Sequence, residues 1–300
     1  MRRRVSGDDF KQSGMVMNSL EEGGAWFVCD QYEIRGDAIV AKYPYDSAGG
    51  EERWRPYRPL EAAPDLFLKF ARLYEESDFE GAVLAWSNKY GVPIGDPWGY
   101  LSRKDRVPLA RFRQETKLAW VVLRMYEAAL SSDAQAVRSL LSTYREDEEL
   151  GPVLSKYHES DTVGIVRTSG VSLEEFAKQD LINFAFYTSI EMVNEKVREF
   201  CHQYLAPSFD VKGGVGAVPN PNDTKIRWKF SSLLGAMYLQ MFWMIGAGGK
   251  LDRCRKCGDT ISHAPPAPNT RKPRSDKLYC SAACRQAYKR SKDQASDTPF

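Results

Sequence analysis

Two close pairs of cysteines constrain this chain more than any other feature of its 300 residues. Cys254 and Cys257 form a CxxC pair that is followed at once by Gly258, and Cys280 and Cys284 stand four positions apart. A helix would put the second pair on one face, and its N-terminal end favours the thiolate, which is the form that binds metals. Glycine after the CxxC pair suits the tight turn of a zinc knuckle. We therefore predict one Zn²⁺ ion held by four cysteines.

Four sulfur ligands complete the tetrahedral coordination of zinc, so a site of this kind is structural rather than catalytic. A knuckle that gives two ligands and a helix start that gives two more form a treble-clef-like zinc finger. Four unrelated thiols are the alternative, but four of the six cysteines fall in these two pairs. His263 lies six positions after Cys257 and is an alternative ligand, which four sulfurs make unnecessary.

The remaining cysteines, Cys29 and Cys201, stand alone in apolar or helical surroundings and are interpreted as buried or half-buried thiols. No secretory signal is visible, because polar residues such as Ser6, Asp8 and Lys11 lie where its apolar segment would be. We therefore expect a cytoplasmic protein, in a reducing compartment where cysteines remain thiols or bind metals.

Hydrophobic periodicity predicts a mainly α-helical fold with a small N-terminal β-hairpin or sheet element. The stretches Tyr32–Arg35 and Ala38–Ala41 meet across Gly36 and Asp37, a pair typical of a two-residue hairpin turn. Residues 54–59 are expected to be extended because their prolines exclude a helix. Gly/Pro-rich loops are expected at residues 91–108 and 213–223. The helices are predicted at about Pro64–Tyr74, Phe79–Tyr90, Leu109–Tyr126, Asp133–Tyr144, Ser172–Tyr204 and Ile226–Ile245.

Composition shifts along the chain predict its division into segments. Residues 1–20 form a disordered tail, residues 21–60 the small β element and residues 61–250 a helical domain. Residues 251–292 form the four-cysteine zinc finger with its basic helix, and residues 293–300 form a second tail. The zinc finger is thus predicted to be a small appendage to a larger helical body.

One apolar segment raises the alternative of a membrane span. Residues 230–249 carry no charge over twenty positions, which is the length of a helix that crosses a bilayer. The segment nevertheless contains Ser231, Ser232, Gln240 and several glycines, and no aromatic belt or second span accompanies it. We therefore predict a helix buried inside the helical domain and no membrane partner.

Charge is distributed unevenly along the chain, although its formal net value is only +2. The stretch from Asp252 to Lys292 has eleven Lys/Arg and three Asp, a local charge of +8, so the remaining residues sum to −6. A basic segment beside a mildly acidic body indicates an anionic partner for the basic end.

The motif around the cysteines resembles a known type of zinc finger. Residues 254–258 and 274–290 are similar to the C-terminal fingers of bacterial proteins related to the CGNR zinc-finger group. Arg285 and Gln286 stand where the named group has Gly-Asn-Arg, so the resemblance is to the wider finger type. The resemblance implies a bacterial protein that binds Zn²⁺ through the four cysteines. It further implies a DNA-binding transcriptional regulator whose basic helix, after Cys284, contacts nucleic acid.

The residues after Cys284 form the predicted nucleic-acid surface. On a helix, Arg285, Lys289 and Lys292 share one face, where cationic side chains can line up with phosphates. Arg285 and Gln286 can reach base edges. The predicted nucleic-acid-binding residues are Arg285, Gln286, Tyr288, Lys289, Arg290 and Lys292. The alternative is a helical protein-interaction or ligand-binding protein, able to self-associate through its body, whose zinc is purely structural.

Catalytic motifs are not evident, so we expect a protein that is not an enzyme. The three histidines, His158, His202 and His263, have no metal-site spacing, and the chain contains no Walker A loop, GxGxxG or GxSxG motif. Arg198 and His202, four positions apart, are interpreted as a surface arginine and a half-buried histidine rather than a nuclease pair.

Overall fold

Helices dominate the architecture, and the strands form small antiparallel sheets. The computed structural model describes residues 26–44, 47–94, 106–145, 178–201, 207–211, 224–228, 232–248, 250–263 and 277–296. The helices are α1 Pro59–Ala62, α2 Leu66–Arg72, α3 Phe79–Tyr90, α4 Leu109–Ser131, α5 Ala134–Arg145, α6 Lys178–Cys201, α7 Leu233–Gly246 and α8 Ala282–Ser296. The strands are β1 Trp26–Cys29, β2 Tyr32–Arg35, β3 Ala38–Ala41, β4 Trp54–Tyr57, β5 Arg106–Pro108, β6 Pro207–Val211, β7 Thr224–Trp228, β8 Leu251–Arg253 and β9 Thr260–Ser262. The predicted mainly α class with a small N-terminal β element is confirmed.

The N-terminal hairpin forms where the sequence predicts it. β2 and β3 pair antiparallel, with Tyr32 opposite Ala41 and Arg35 opposite Ala38. Gly36 takes φ +64° in the turn, a conformation that glycine adopts without steric cost. The segment predicted to be extended forms β4, which pairs antiparallel with β1.

A third strand joins this hairpin from a distant part of the chain. β5 pairs antiparallel with β3, so that Val107 lies opposite Ile39 and both side chains are buried. The prediction of a loop over residues 91–108 is therefore wrong for its last three residues. Pro108 is compatible with β5 because the strand lies at the edge of its sheet, where a missing backbone donor is tolerated.

A second correction concerns the helix predicted over residues 226–245. β7 occupies the beginning of this range and pairs antiparallel with β6, with Ile226 opposite Phe209, and α7 begins only at Leu233. Thr, Ile and Trp alternate with Lys and Arg through β7, and this period of two is typical of a strand. α7 is 14 residues long. Among the described residues, no helix combines the length and apolar character needed to cross a bilayer.

Residue contacts divide the chain into two compact units. One comprises residues 1–121 and 192–240, and the other comprises residues 122–191 and 241–300. Helices α4, α6 and α7 each contribute residues to both units. The boundaries that composition predicts between tail, β element, helical domain and finger stay predictions.

An aromatic cluster forms part of the core of the first unit. Phe70 of α2, Trp86 of α3 and Phe112 of α4 pack with ring centroids 5.3 to 5.8 Å apart. All three side chains are buried, and aromatic pairs at these separations stabilise a core beyond the area that they remove from water.

A buried amide ties α7 to α2 within the same unit. The first part of α7 is buried on every side, as predicted. The Gln240 side chain accepts a hydrogen bond from the backbone N–H of Phe67 (3.1 Å) and donates one to the carbonyl of Ala63 (2.7 Å). The first turn of a helix leaves backbone N–H groups unpaired, so Gln240 satisfies a donor that α2 cannot satisfy itself.

The second unit contains the C-terminal part of α4, the whole of α5 and the beginning of α6. Asp133 caps α5, because its carboxylate accepts a hydrogen bond from the N–H of Ala136 at 3.0 Å. The rings of Tyr126 in α4 and Phe186 in α6 stack with centroids 6.2 Å apart. This packing fixes the part of α4 that carries Glu127, the next residue along the chain.

Some predictions fall outside the described residues. They include the tail at residues 1–20, the helix start at Ser172, the loop at residues 213–223 and the environments of His158 and His202. Cys29 is a free, fully buried thiol, as predicted. The side chain of Cys201 is outside the described part of the chain.

Candidate metal centre and adjoining basic surface

The first cysteine pair lies on the turn of a hairpin. Cys254 directly follows β8, and its backbone N–H donates to the carbonyl of Asp259, just before β9, at 2.7 Å. Gly258 turns the chain back with φ +76°, and its N–H donates to the carbonyl of Cys254 at 2.9 Å. The prediction that this glycine permits a tight knuckle is confirmed, since positive φ favours glycine over other residues.

The second cysteine pair lies at the start of α8. Ser281 caps this helix, because its hydroxyl accepts a hydrogen bond from the N–H of Cys284 at 3.1 Å. Its carbonyl accepts the N–H of Arg285 at 3.2 Å. Cys280 therefore lies just before the helix and Cys284 within its first turn, where the helix dipole favours negatively charged sulfur.

The four cysteines converge on one point. Their sulfur atoms all lie within 4.8 Å of one another. The Sγ atoms of Cys257, Cys280 and Cys284 are separated by 3.4 to 3.6 Å. A tetrahedral ion with metal–sulfur bonds of about 2.3 Å requires sulfur separations of about 3.8 Å. The cluster can therefore hold a metal ion, and its size and all-thiol donor set fit Zn²⁺.

Backbone donors and desolvation act in opposite directions on these thiols. Burial opposes ionisation of Cys254, but hydrogen bonds from the backbone of Cys257, Cys280 and Lys256 outweigh it and lower the pKa of Cys254 to about 6. Desolvation, and then the Asp259 carboxylate 2.7 Å from its sulfur, raises the pKa of Cys257. Desolvation, and then the neighbouring Cys284 sulfur, raises the pKa of Cys280 to about 12. Metal binding at neutral pH must therefore displace protons.

The hairpin that carries the first pair also contacts α4 within the second unit. The Glu127 carboxylate accepts hydrogen bonds from Arg253, at the end of β8, and from Thr260, at the start of β9. Arg124, one turn earlier in α4, lies 2.8 Å from the same carboxylate. The knuckle is therefore held by contacts with α4 as well as with α8.

His263 is not part of the cysteine cluster that the described residues form. It lies just after β9, where its Nε2 is 2.9 Å from the carboxylate of Asp252. Its backbone N–H donates to the carbonyl of Lys250 at 3.0 Å. The histidine therefore closes the far end of the hairpin, and the four sulfurs need no nitrogen ligand.

Several predicted nucleic-acid residues present their side chains to solvent on α8. The exposed ones are Arg285, Gln286, Lys289 and Arg290. Within the part of the chain that the structure describes, none of these three cations is in an ion pair. Tyr288 is half-buried against Tyr279, with ring centroids 5.4 Å apart. Lys292 belongs to α8, but its side chain lies outside the described residues.

Two further cations lie beside the cysteine cluster. They were not among the nucleic-acid-binding residues predicted from the sequence. Arg255 and Lys256 are exposed on the knuckle, between the cysteines of the first pair. The backbone N–H of Arg255 donates to the carbonyl of Leu278 at 3.1 Å, which joins the knuckle to the segment before α8. The sequence signal for this surface was that Arg255 and Lys256 lie between two predicted metal ligands. Ligands that bind one ion bring their neighbours close to the other ligands, here to the start of α8.

Comparisons of the chain with protein-family models, with curated proteins and with solved structures find no match.

Proposed function

We propose that this protein holds Zn²⁺ on Cys254, Cys257, Cys280 and Cys284 and binds nucleic acid through the finger that the ion organises. DNA in a regulatory setting is the proposed ligand, in keeping with the resemblance of the finger to CGNR-type fingers. The proposed contact surface consists of the exposed cations of α8 and of the knuckle, together with Gln286.

One observation carries this proposal: exposed cations without ion-pair partners in the described structure flank the cysteine cluster on two segments. Arg285 follows a cysteine of α8, whereas Arg255 and Lys256 lie between the cysteines of the knuckle. Cations that no carboxylate neutralises attract a polyanion strongly, because phosphate binding releases condensed counterions. Arginine and glutamine at the start of a helix also match the donor and acceptor pattern of base edges.

The metal has a scaffolding role in this proposal. Zn²⁺ on four thiolates has no open coordination position, so it supplies no reactive water and no Lewis acid site. The cysteines hold the knuckle against the first turn of α8, and the Ser281 cap orients that turn. The protein residues, rather than the ion, therefore make every proposed contact with the nucleic acid. We further propose that the protein is not an enzyme and, from the resemblance of its finger and the absence of paired cysteines among the described residues, that it is a bacterial protein of the cytoplasm.

A mobility-shift experiment with metal removal tests the proposal. Zinc-loaded protein should retard a labelled duplex DNA pool at low salt, lose this activity after chelation and regain it when Zn²⁺ is returned. Parallel reactions with single-stranded DNA and with RNA identify the class of nucleic acid. Cys280→Ser is the control. Its cluster has only three sulfurs, so returned Zn²⁺ should not restore DNA binding to this variant. Binding that survives chelation, or no binding at low salt, would contradict the proposal.

A second function is supported by exposed apolar side chains. Leu130, Tyr187 and Phe242 belong to the second unit and expose 46%, 54% and 43% of their surface. These residues are the observation behind the alternative of a helical interaction protein with a purely structural zinc, which requires that they form one contiguous apolar patch. Light scattering over a concentration series should then show self-association that Tyr187→Ser weakens. A monomer at all concentrations would leave no support for association between copies.

A further inference from the structure

Two residues of the β8–β9 hairpin, whose turn carries Cys254 and Cys257, form hydrogen bonds with the same carboxylate on α4. Arg253 and Thr260 are cross-strand partners, the pair of β8 and β9 nearest to the cysteines. Side chains of directly opposed residues project from the same face of a hairpin. Both reach Glu127, whose Oε2 accepts from Arg253 and whose Oε1 accepts from the Thr260 hydroxyl. The carboxylate therefore bridges the two strands at the turn end of the hairpin.

The same arginine also contacts the turn that carries the metal ligands. Nη1 of Arg253 donates to the carbonyl of Gly258 at 3.3 Å, while Nη2 contacts Glu127. Cys254 is the next residue, and its N–H is bound to the carbonyl of Asp259. A continuous path of hydrogen bonds thus runs from Glu127 to the knuckle without passing through a cysteine sulfur.

Burial makes this arrangement costly to break. The Glu127 side chain is only 12% exposed, and Thr260 is 6% exposed. Arg124 and Arg253 both face the one carboxylate. Without this carboxylate, two guanidinium groups would remain close together and the buried Thr260 hydroxyl would lose its acceptor. The hairpin would then be expected to move away from α4.

We propose that Glu127 is a positioning residue for the metal centre. From α4 it holds Arg253 and Thr260 so that Cys254 and Cys257 face the second cysteine pair, and it thereby raises the affinity of the cluster for Zn²⁺. This inference rests on zinc binding by the four cysteines but not on nucleic-acid binding. α4 and the finger are, on this account, energetically coupled.

Zinc affinity of a Glu127→Gln variant tests the coupling. Glutamine keeps the size of the side chain and one acceptor but removes the charge that two arginines share. Competition with a chromophoric chelator should show an affinity about tenfold below that of the wild type, since outer residues that orient ligands change metal affinity by this order. Glu199→Gln is the matched control, because Glu199 is also a helix carboxylate, 2.8 Å from Lys196, but belongs to the first unit.

Thr260→Val provides an independent variant that removes only the hydroxyl donor. Its zinc affinity should fall about threefold, because only part of the free energy of this charge-assisted hydrogen bond is coupled to zinc binding. In the double variant the two losses should combine to less than their product, because both act through one contact. Thr260→Val also carries the test if Glu127→Gln does not fold. Absorption of Co²⁺ substituted at the cysteines reports whether the thiolate geometry changes.

The decisive comparison is between stability and metal affinity. The Glu127→Gln substitution should lower the temperature of thermal unfolding more in the zinc-loaded protein than in the protein after chelation. An equal loss with and without zinc, at unchanged zinc affinity, would overturn the proposal and make Glu127 a stabilising residue of α4 alone. A wild-type protein that does not bind zinc would overturn the proposed metal function itself. DNA binding that fails while zinc affinity responds as expected would leave the role of Glu127 supported.

Discussion

Replacement of Arg285 and Lys289 by alanine offers a quantitative test of the proposed nucleic-acid surface. Among the described residues, the exposed cations of the finger that are in no ion pair are Arg255, Lys256, Arg285, Lys289 and Arg290. If each neutralises one phosphate of a duplex, the logarithm of the binding constant should fall with the logarithm of salt concentration with a slope of about −4.5. The double variant keeps three of these cations, so its slope should be about −2.7.

These slopes predict a large difference over an accessible range. A change from about 50 to 200 mM salt is fourfold, which should weaken wild-type binding about 500-fold and binding by the double variant about 40-fold. Fluorescence anisotropy of a labelled duplex at four or more salt concentrations measures both slopes. Arg35→Ala with Lys42→Ala is the matched control, because both are exposed cations of the N-terminal hairpin, at the end of β2 and directly after β3.

Equal slopes for the wild type and for the α8 double variant would refute the reasoning. The same conclusion would follow if the Arg35/Lys42 control flattened the slope as much as the α8 variant does. Zinc content must be measured alongside, since only a fully loaded variant separates the loss of cations from the loss of the scaffold.

Three further outcomes are expected. Cys280→Ser should release most of the bound zinc, because a cluster of three sulfurs loses much of the roughly 10–16 kcal/mol of apparent binding free energy; metal analysis and faster amide exchange in α8 would show it. Zinc affinity should rise with pH near neutrality, by about a hundredfold per unit from Cys257 and Cys280 alone, because their raised pKa values mean that each loses a proton on binding; chelator competition across pH would reveal a flat profile if this is wrong. Gln240→Leu should lower the free energy of unfolding by about 3 kcal/mol, because it strands two buried backbone groups. Urea unfolding measures this loss, which the exposed Gln286→Ala should not produce.

The cysteine cluster could be predicted because the sequence signals for it are local. The spacing of each cysteine pair encodes a turn or a helix start, and Gly258 and Ser281 support these two structures at adjacent positions. The shared preference of four thiolates for one metal ion then predicts that the two pairs lie together. Amphipathic helices such as α3 were predictable for the same reason, since their caps and periodicity lie within the segment itself.

What the sequence did not reveal depends on distant partners. β5 becomes a strand because Val107 meets Ile39 of β3, and a three-residue stretch has too little periodicity to show this alone. Glu127 lies 126 positions before Arg253, and a glutamate on a helix is interpreted as surface charge until its partner is known. β7 was obscured differently, because the apolar run that follows it made Ile226 look like the start of a longer helix.

The amide of Gln240 has a consequence for the uniqueness of the fold. A helix that is apolar on every side can rotate or slide in its hydrophobic surroundings at small cost, because no hydrophobic stripe defines its orientation. A shift of α7 by one residue would turn it by about 100° and move it by about 1.5 Å, and both hydrogen bonds to the start of α2 would be lost. The oxygen and nitrogen of the Gln240 amide therefore fix the register of α7. They select one packing of this helix among many that are nearly equal in hydrophobic burial.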